Sequence, residues 1–365
     1  MILMNNFKKE YTDIKPSIDK AIFTTLNKGF HILGPSVNKF ENEFARYIGA
    51  TYCVSVANGL EALQIALMAV GIKPGDEVLT VSNSAVATSL AISNLGAVPV
   101  FVDIDEYYHM DISKIEEKIT KITKAILPVH LYGQTADMKG ILKIAKKYKL
   151  KVIEDACQAH GAEIEGRKAG TFGIVGAFSF YPTKNLGGYG DGGAIVTSNK
   201  EIYTAARKLR NYGSEKRYYH SIKGLNSRLD ELQAAILSVK LAHLPRYIKK
   251  RNEIALIYLE NLKDVKQISL PKIRVGALHS FHLFAIEAQN RTELMEFLVK
   301  NGVQTLIHYP LPIHKQICYT EYNNLVLKET EKVSKRVLSL PIHPYLSNKE
   351  AYRVCKLIKN FYENK

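Results

Sequence analysis

Lys184 stands in an apolar, glycine-rich turn after a strand-like run, with Ser179 five residues before it and Gly187 and Gly188 behind it. Burying an ammonium ion is costly unless its charge is removed or used. Condensation of the amine with an aldehyde removes the charge and opens a covalent route into catalysis. Taken alone, a lysine on a surface loop explains the same letters more simply. Asp155 follows the apolar run 151–154, where the carboxyl end of a parallel strand meets its ligand. A helix cap would use an aspartate there equally well. Gln158 and His160 come next, and His160 by itself reads as a structural histidine. Asn58, Gly59 and Leu60 join a strand-like run to a helix-like one, with Glu61 as a capping-box partner. Such a helix start offers free amides and positive partial charge to a phosphate, although an ordinary capped helix is the plainer reading of this piece. Asn226 and Arg228 precede a long helix, where they reach a phosphate or, with Ser227, cap the helix.

Each piece is weak alone; their order along one chain points to one cofactor, pyridoxal 5′-phosphate (PLP). Lys184 meets its aldehyde. Asp155 keeps the pyridine nitrogen protonated, so that the ring takes up electrons from the reacting carbon. Gln158 reaches the ring hydroxyl, and Ser179 donates to the phosphate. Gly188, Gly190 and Gly193 match the letters G-x-G-x-x-G. The dinucleotide reading fails because residues 194–198 are strand-like where a helix is required.

These residues need a scaffold that delivers them to one edge. Runs 51–57, 77–81, 98–102, 124–129 and 151–154 read as strands, separated by helical patterns at 58–70, 85–94 and 138–148. This βαβ rhythm predicts an α/β fold with a mostly parallel sheet covered on both faces. Strands at 173–180 and 193–197 and helices at 200–210 and 229–262 follow. Beyond lies a mixture of strands (281–287, 303–307) and helices (291–301, 348–362), a small α+β domain. The expected division is 1–245 and 246–365.

The 365 residues suffice for two cores, and 46% hydrophobic with 23% charged residues is ordinary for a globular chain. Cys53, Cys157, Cys318 and Cys355 form no C-x-x-C pair, which argues against a disulfide framework or zinc site and for a cytoplasmic setting. No apolar run approaches a membrane span, and no signal-peptide core opens the chain. The net charge of +15 raises anion concentrations at the surface. Without a nucleic-acid-binding motif, a lysine-rich solvated surface is the expected reading.

The chain resembles the DegT/DnrJ/EryC1/StrS sugar aminotransferases, a fold-type I (aspartate-aminotransferase-like) branch of PLP enzymes, nearly end to end. Gly34, Pro35, Phe40, Glu41, Phe44 and Ala45 match the family's first loop and helix. The turn at Asn58, the strand end at Asp155, Ser179 to Lys184, and Asn226 with Arg228 match its cofactor-binding blocks. His308, Tyr309, Pro310, Pro312, His314, Gln316 and the run 339–344 match its small domain. The resemblance implies that Lys184 forms the Schiff base and later moves the proton. It implies that the backbones of Gly59 and Leu60, with Ser179 and an Asn226 from a partner subunit, hold the phosphate, and hence a homodimer sharing its active sites. It implies that glutamate donates the amino group, through pyridoxamine phosphate, to a nucleotide-linked keto-sugar. A dehydratase branch replaces the lysine by histidine, and Lys184 argues against it. Leu60 stands where threonine is frequent, and Ala85 where an aromatic ring often covers PLP, which makes His160 the candidate for stacking.

The segments from Ser84 to Thr88 and from Ser179 to Lys184 are most similar to members that aminate C3 of dTDP-3-keto-6-deoxyhexoses; C4 amination of a 4-keto sugar is the alternative. Tyr181, His308 and Tyr309 would line the sugar pocket, and Lys216 or Arg217 would meet the diphosphate; packing and an exposed basic loop are the plain accounts of these five. A non-catalytic PLP-binding regulator and a basic nucleic-acid-binding protein are the remaining readings, the first disfavoured by intact Lys184, Asp155 and Gln158.

Overall fold

A computed structural model describes residues 1–363. The large sheet has seven strands: β1 (Tyr52–Val56), β2 (Glu77–Val81), β3 (Val98–Val102), β4 (Thr123–Ile126), β5 (Lys151–Asp155), β6 (Val175–Ser179) and β7 (Gly193–Thr197). Their spatial order is β1-β7-β6-β5-β4-β2-β3. All run parallel except β7, which is antiparallel to both neighbours. The continuous apolar strands read in the sequence are those of a sheet buried on both faces.

One face is covered by α3 (Gly59–Ala69) and α6 (Lys200–Leu209), the other by α2 (Pro35–Ile48) and α7 (Glu231–Leu262). Helix α2 starts with Pro35 at its first turn and stops at Gly49, whose φ of 88° an L side chain rarely adopts. The carboxylate of Glu231 accepts hydrogen bonds from the amides of Gly34, Ser36 and Val37, each at 2.8 Å, and so ties the start of α2 to the start of α7. Helix α1 (Phe7–Lys28) packs on α7 and was not read in the sequence. It buries only Ile14, Ile18 and Thr25 and contains Pro16, so its periodicity is faint.

A buried ion pair fastens the sheet to α2. Arg210 contacts Glu41, which also accepts from the amide and hydroxyl of Ser55, each at 2.8 Å. Removing one partner strands a charge in the core. Arg210→Met is therefore expected to destabilise the protein by about 3–5 kcal/mol, read as a lower midpoint in urea. The double variant Arg210→Met/Glu41→Leu should recover much of that loss.

The second core gathers around a small antiparallel sheet of β8 (Ile268–Ser269), β9 (Phe284–Ala288) and β10 (Val337–Leu340). Helix α7 runs through both cores. Leu237, Leu241, Leu244 and Ile248 pack with the large sheet, whereas Ile254, Ile257, Tyr258 and Leu262 pack with the small one. The boundary expected at 245/246 thus falls inside a continuous helix. The strand expected at 303–307 is absent. Val303 and Leu306 make single bridges, to Ile2 and Ser339, as the chain crosses between two neighbours. No described helix is long and apolar enough to cross a membrane.

Candidate active site

Because β1, β5 and β6 are parallel, their carboxyl ends share one edge of the sheet, the edge expected to carry ligands. There Asn58, Gly59, Leu60, Asp155, Gln158, Ser179, Tyr181 and Lys184 line one cavity of about 400 Å³. Leu63, Ser84, Ala85, Ala87, Thr88, Val129, Cys157 and Asp191 complete its wall.

The start of α3 forms one end. The Asn58 side chain accepts from the Glu61 amide at 2.9 Å, and its carbonyl accepts from Ala62 at 3.0 Å. Gly59 and Leu60, whose amides a helix start leaves without intrahelical partners, line the cavity where such donors suit an anion. A Cβ at Gly59 would lie 2.6 Å from the Ser179 Cβ, so the close approach of the two segments requires glycine. Gly59→Ala is expected to push Ser179 out of this cradle and raise the Kd for PLP about 10-fold or more, the worth of one hydrogen bond to a charged group. Equilibrium dialysis with PLP measures it.

Asp155 closes β5. Its backbone is pinned on both sides: its amide donates to Pro128 O at 2.9 Å, and its carbonyl accepts from the His130 amide at 3.0 Å. Its side chain accepts from Thr88 Oγ1 at 2.8 Å and from the Cys157 amide at 3.2 Å. The neighbouring Glu154 is buried, accepts from Gly170 N at 2.7 Å and lies 2.8 Å from His130 Nε2. Since His130 Nδ1 accepts from the Ala136 amide, Nε2 carries the hydrogen and donates to Glu154. Gln158 accepts from the Tyr132 amide at 3.0 Å and donates to the Tyr309 hydroxyl at 3.1 Å. Burial pushes the Tyr309 phenol up to about 12, so it stays a neutral hydroxyl.

Lys184 sits in the turn after β6, its amide bonded to Tyr181 O at 2.8 Å. Desolvation holds its amine below the ordinary lysine value of 10.5, against an upward pull from Cys157 and Asp155. Between the depressed value and 10.5 the unfolded chain binds more protons than the folded one, so this group's penalty on folding is greatest below that window and fades as pH rises through it. Lys184→Met should therefore raise the thermal midpoint of the cofactor-free protein at neutral pH, with the gain closing by about pH 10.5.

A desolvated amine, a carboxylate held at a strand end and a glycine-backed amide cradle fit PLP in three places at once. The DegT/DnrJ/EryC1/StrS aminotransferase family model matches residues 12–359. The chain belongs to this family. It is 49% identical to the dTDP-3-amino-3,6-dideoxy-alpha-D-galactopyranose transaminase of Aneurinibacillus thermoaerophilus, over 94% of this chain and 95% of that one. It is 42% identical to the UDP-2-acetamido-2-deoxy-3-oxo-D-glucuronate aminotransferase of Pseudomonas aeruginosa, over 99% and 100%. Its fold matches S. venezuelae DesV, solved in complex with a ketimine intermediate, with a TM-score of 0.97 at 42% identity over 99% and 98% of the two chains. The protein is a PLP-dependent sugar-nucleotide aminotransferase.

Several residues singled out in the sequence of this aminotransferase do not line the cavity. His160 does not line the cavity. It is fully buried on the opposite face of the sheet, 5.3 Å from the Phe178 ring centroid and 5.8 Å from that of Phe180. Side chains alternate along a strand, so Ser179 faces the cavity while Phe178 and Phe180 face α2. The expectation that His160 stacks on the cofactor is thereby corrected; the cavity's apolar lining comes from Leu60, Leu63, Ala85, Ala87 and Val129. Asn226 is exposed in a bridge to Asn211 and does not line this chain's own cavity. Lys216 and Arg217 belong to an exposed hairpin (Ser214–Lys216 with Tyr219–His220) and border a separate hollow. Tyr181 is 53% exposed at the cavity mouth. His308 does not line the cavity; it reaches Ser339 Oγ at 2.9 Å, and its carbonyl accepts from the Tyr132 hydroxyl.

Sequence reasoning missed Thr88, Tyr132 and Asp191. Thr88 lies in a segment read as a helix and for its likeness to sugar-specific members, without a role of its own. The glycines around Asp191 were weighed only as a dinucleotide motif. Tyr132 is held at a φ of 59°, a local conformation that no residue pattern announces.

Proposed function

We propose that this enzyme transfers an amino group from glutamate to C3 of a dTDP-3-keto-6-deoxyhexose. The observation that carries the reading is the meeting of Lys184, Asp155 and the α3 amides around one cavity, in a chain 49% identical to a relative named for a dTDP-3-amino product. Bound PLP supplies an aldehyde for amine exchange and a ring that accepts negative charge from the reacting carbon. Lys184, whose desolvated amine lines the cavity, would hold the group. Its Nζ would remove and return the proton at that carbon. Asp155 would pair with the pyridine nitrogen, and Gln158, braced by Tyr309, would meet the ring oxygen. Tyr181, at the cavity's edge, and Tyr309, bonded to Gln158, would border the place of the sugar.

The exposed Asn226 completes the phosphate cradle of a partner subunit, and Lys216 or Arg217 of that hairpin meets the nucleotide diphosphate. A homodimer with shared sites follows from this arrangement. Incubation with glutamate and, separately, dTDP-linked 3-keto-6-deoxy, dTDP-linked 4-keto-6-deoxy and UDP-linked 3-keto sugars tests the substrate. Amination of the first alone is expected. Amination only at C4, or only of the UDP sugar, overturns the assignment.

A further inference from the structure

Thr88 and Ser84 form a chain of two hydroxyls behind Asp155. Both are buried, at 1% and 4% exposure, although threonine and serine ordinarily find water. Thr88 Oγ1 lies 2.8 Å from Asp155 Oδ2, and Ser84 Oγ lies 2.8 Å from Thr88 Oγ1. A carboxylate only accepts, so the Thr88 hydrogen goes to Asp155. The Ser84 hydroxyl must then donate to Thr88, which fixes the direction of the whole chain. The spacing is that of a helix start: Thr88 lies in the first turn of α4 (Ala87–Ser93), four residues after Ser84.

The two oxygens of Asp155 are thus held separately. The Cys157 amide takes Oδ1 and the Thr88 hydroxyl takes Oδ2. With the backbone already pinned, the freedom left to Asp155 is rotation of its carboxylate, and these two donors remove it. Removing Thr88's donor would free the plane of the group and leave one oxygen poorly partnered in a site walled by Leu60, Leu63, Ala85 and Val129.

We propose that Thr88 is a positioning residue that aims the Asp155 carboxylate at the cofactor's ring nitrogen, and that Ser84 fixes the Thr88 hydroxyl in its donating orientation. The inference rests on the reading of Asp155 as the partner of that nitrogen. The role belongs to the hydroxyl, not to the volume, so Thr88→Val and Thr88→Ser separate the two. Holoenzyme loaded with PLP carrying ¹⁵N in the ring reports protonation of the nitrogen directly. In Thr88→Val the resonance should move toward that of neutral pyridine. The rate of the glutamate half-reaction should fall about 10- to 100-fold, the worth of a charge-assisted hydrogen bond, with KM for glutamate unchanged. Thr88→Ser should keep both near wild type, and Ser84→Ala should shift both in the same direction by less.

A Thr88→Val enzyme with wild-type resonance and rate overturns the proposal, as does a Thr88→Ser enzyme indistinguishable from Thr88→Val. If valine is not tolerated by the fold, Ser84→Ala decides, and an unchanged resonance there counts against the relay. Asp155→Asn is the reference. If it leaves the resonance unmoved, the reading of Asp155 fails; if it moves the resonance while the Thr88 and Ser84 variants do not, the relay fails alone.

Discussion

Lys184→Ala is expected to reduce transamination by about 10⁴-fold, the upper range for loss of a positioned general acid–base. The fold should survive, because the lysine's amine contributes a desolvation penalty to the native state. The expected variant is a soluble, folded protein that still takes up PLP through the cradle at Gly59 and Ser179 but lacks the visible band of lysine-bound cofactor. Lys184→Arg separates charge from chemistry: it restores a cation, yet no amine able to condense at neutral pH. Both variants should therefore be equally inactive. Retention of more than a small fraction of wild-type turnover in either would assign the proton transfer to another group.

The second large effect belongs to Asp155. An opposite charge nearby favours the charged form of its partner by about 1–3 pKa units. Replacing the carboxylate by the nearly isosteric Asp155→Asn removes that bias from the ring nitrogen. The rate of the glutamate half-reaction should fall about 10- to 1000-fold, following the loss of the protonated ring. Binding should suffer less, since the α3 amides and Ser179 are untouched. The signature is a kcat effect with a nearly unchanged Kd for PLP, which stopped-flow and dialysis measure separately. The reverse pattern would make Asp155 a structural cap of the turn that carries the Cys157 amide.

Much of this site was legible because its parts sit at junctions between regular elements. A strand ending in Asp155, a helix beginning after Asn58 and a lysine turn following Ser179 are local patterns, and a parallel sheet must bring such ends to one edge. The antiparallel β7 was not legible, since an apolar run carries no mark of its direction. The fate of His160 was hidden for a similar reason. Its own segment is irregular, and only the face on which Phe178 and Phe180 project shows that the ring is enclosed with them. Thr88 was invisible because its partner lies 67 residues away. The helix α1 escaped detection because a helix packed along a single narrow stripe shows little hydrophobic period. Asn226, Lys216 and Arg217 do not line the cavity of their own chain, as the expected partner subunit already implied for Asn226.

The central claim is that the amine of Lys184 holds PLP in the cavity shared with Asp155. Reduction of the PLP-loaded protein with borohydride, followed by digestion and peptide mass mapping, tests it most directly. The account predicts a single reduced pyridoxyl adduct, on Lys184, and none on the Lys184→Ala protein. An adduct on a different lysine, or protein that binds PLP without forming any, would contradict it.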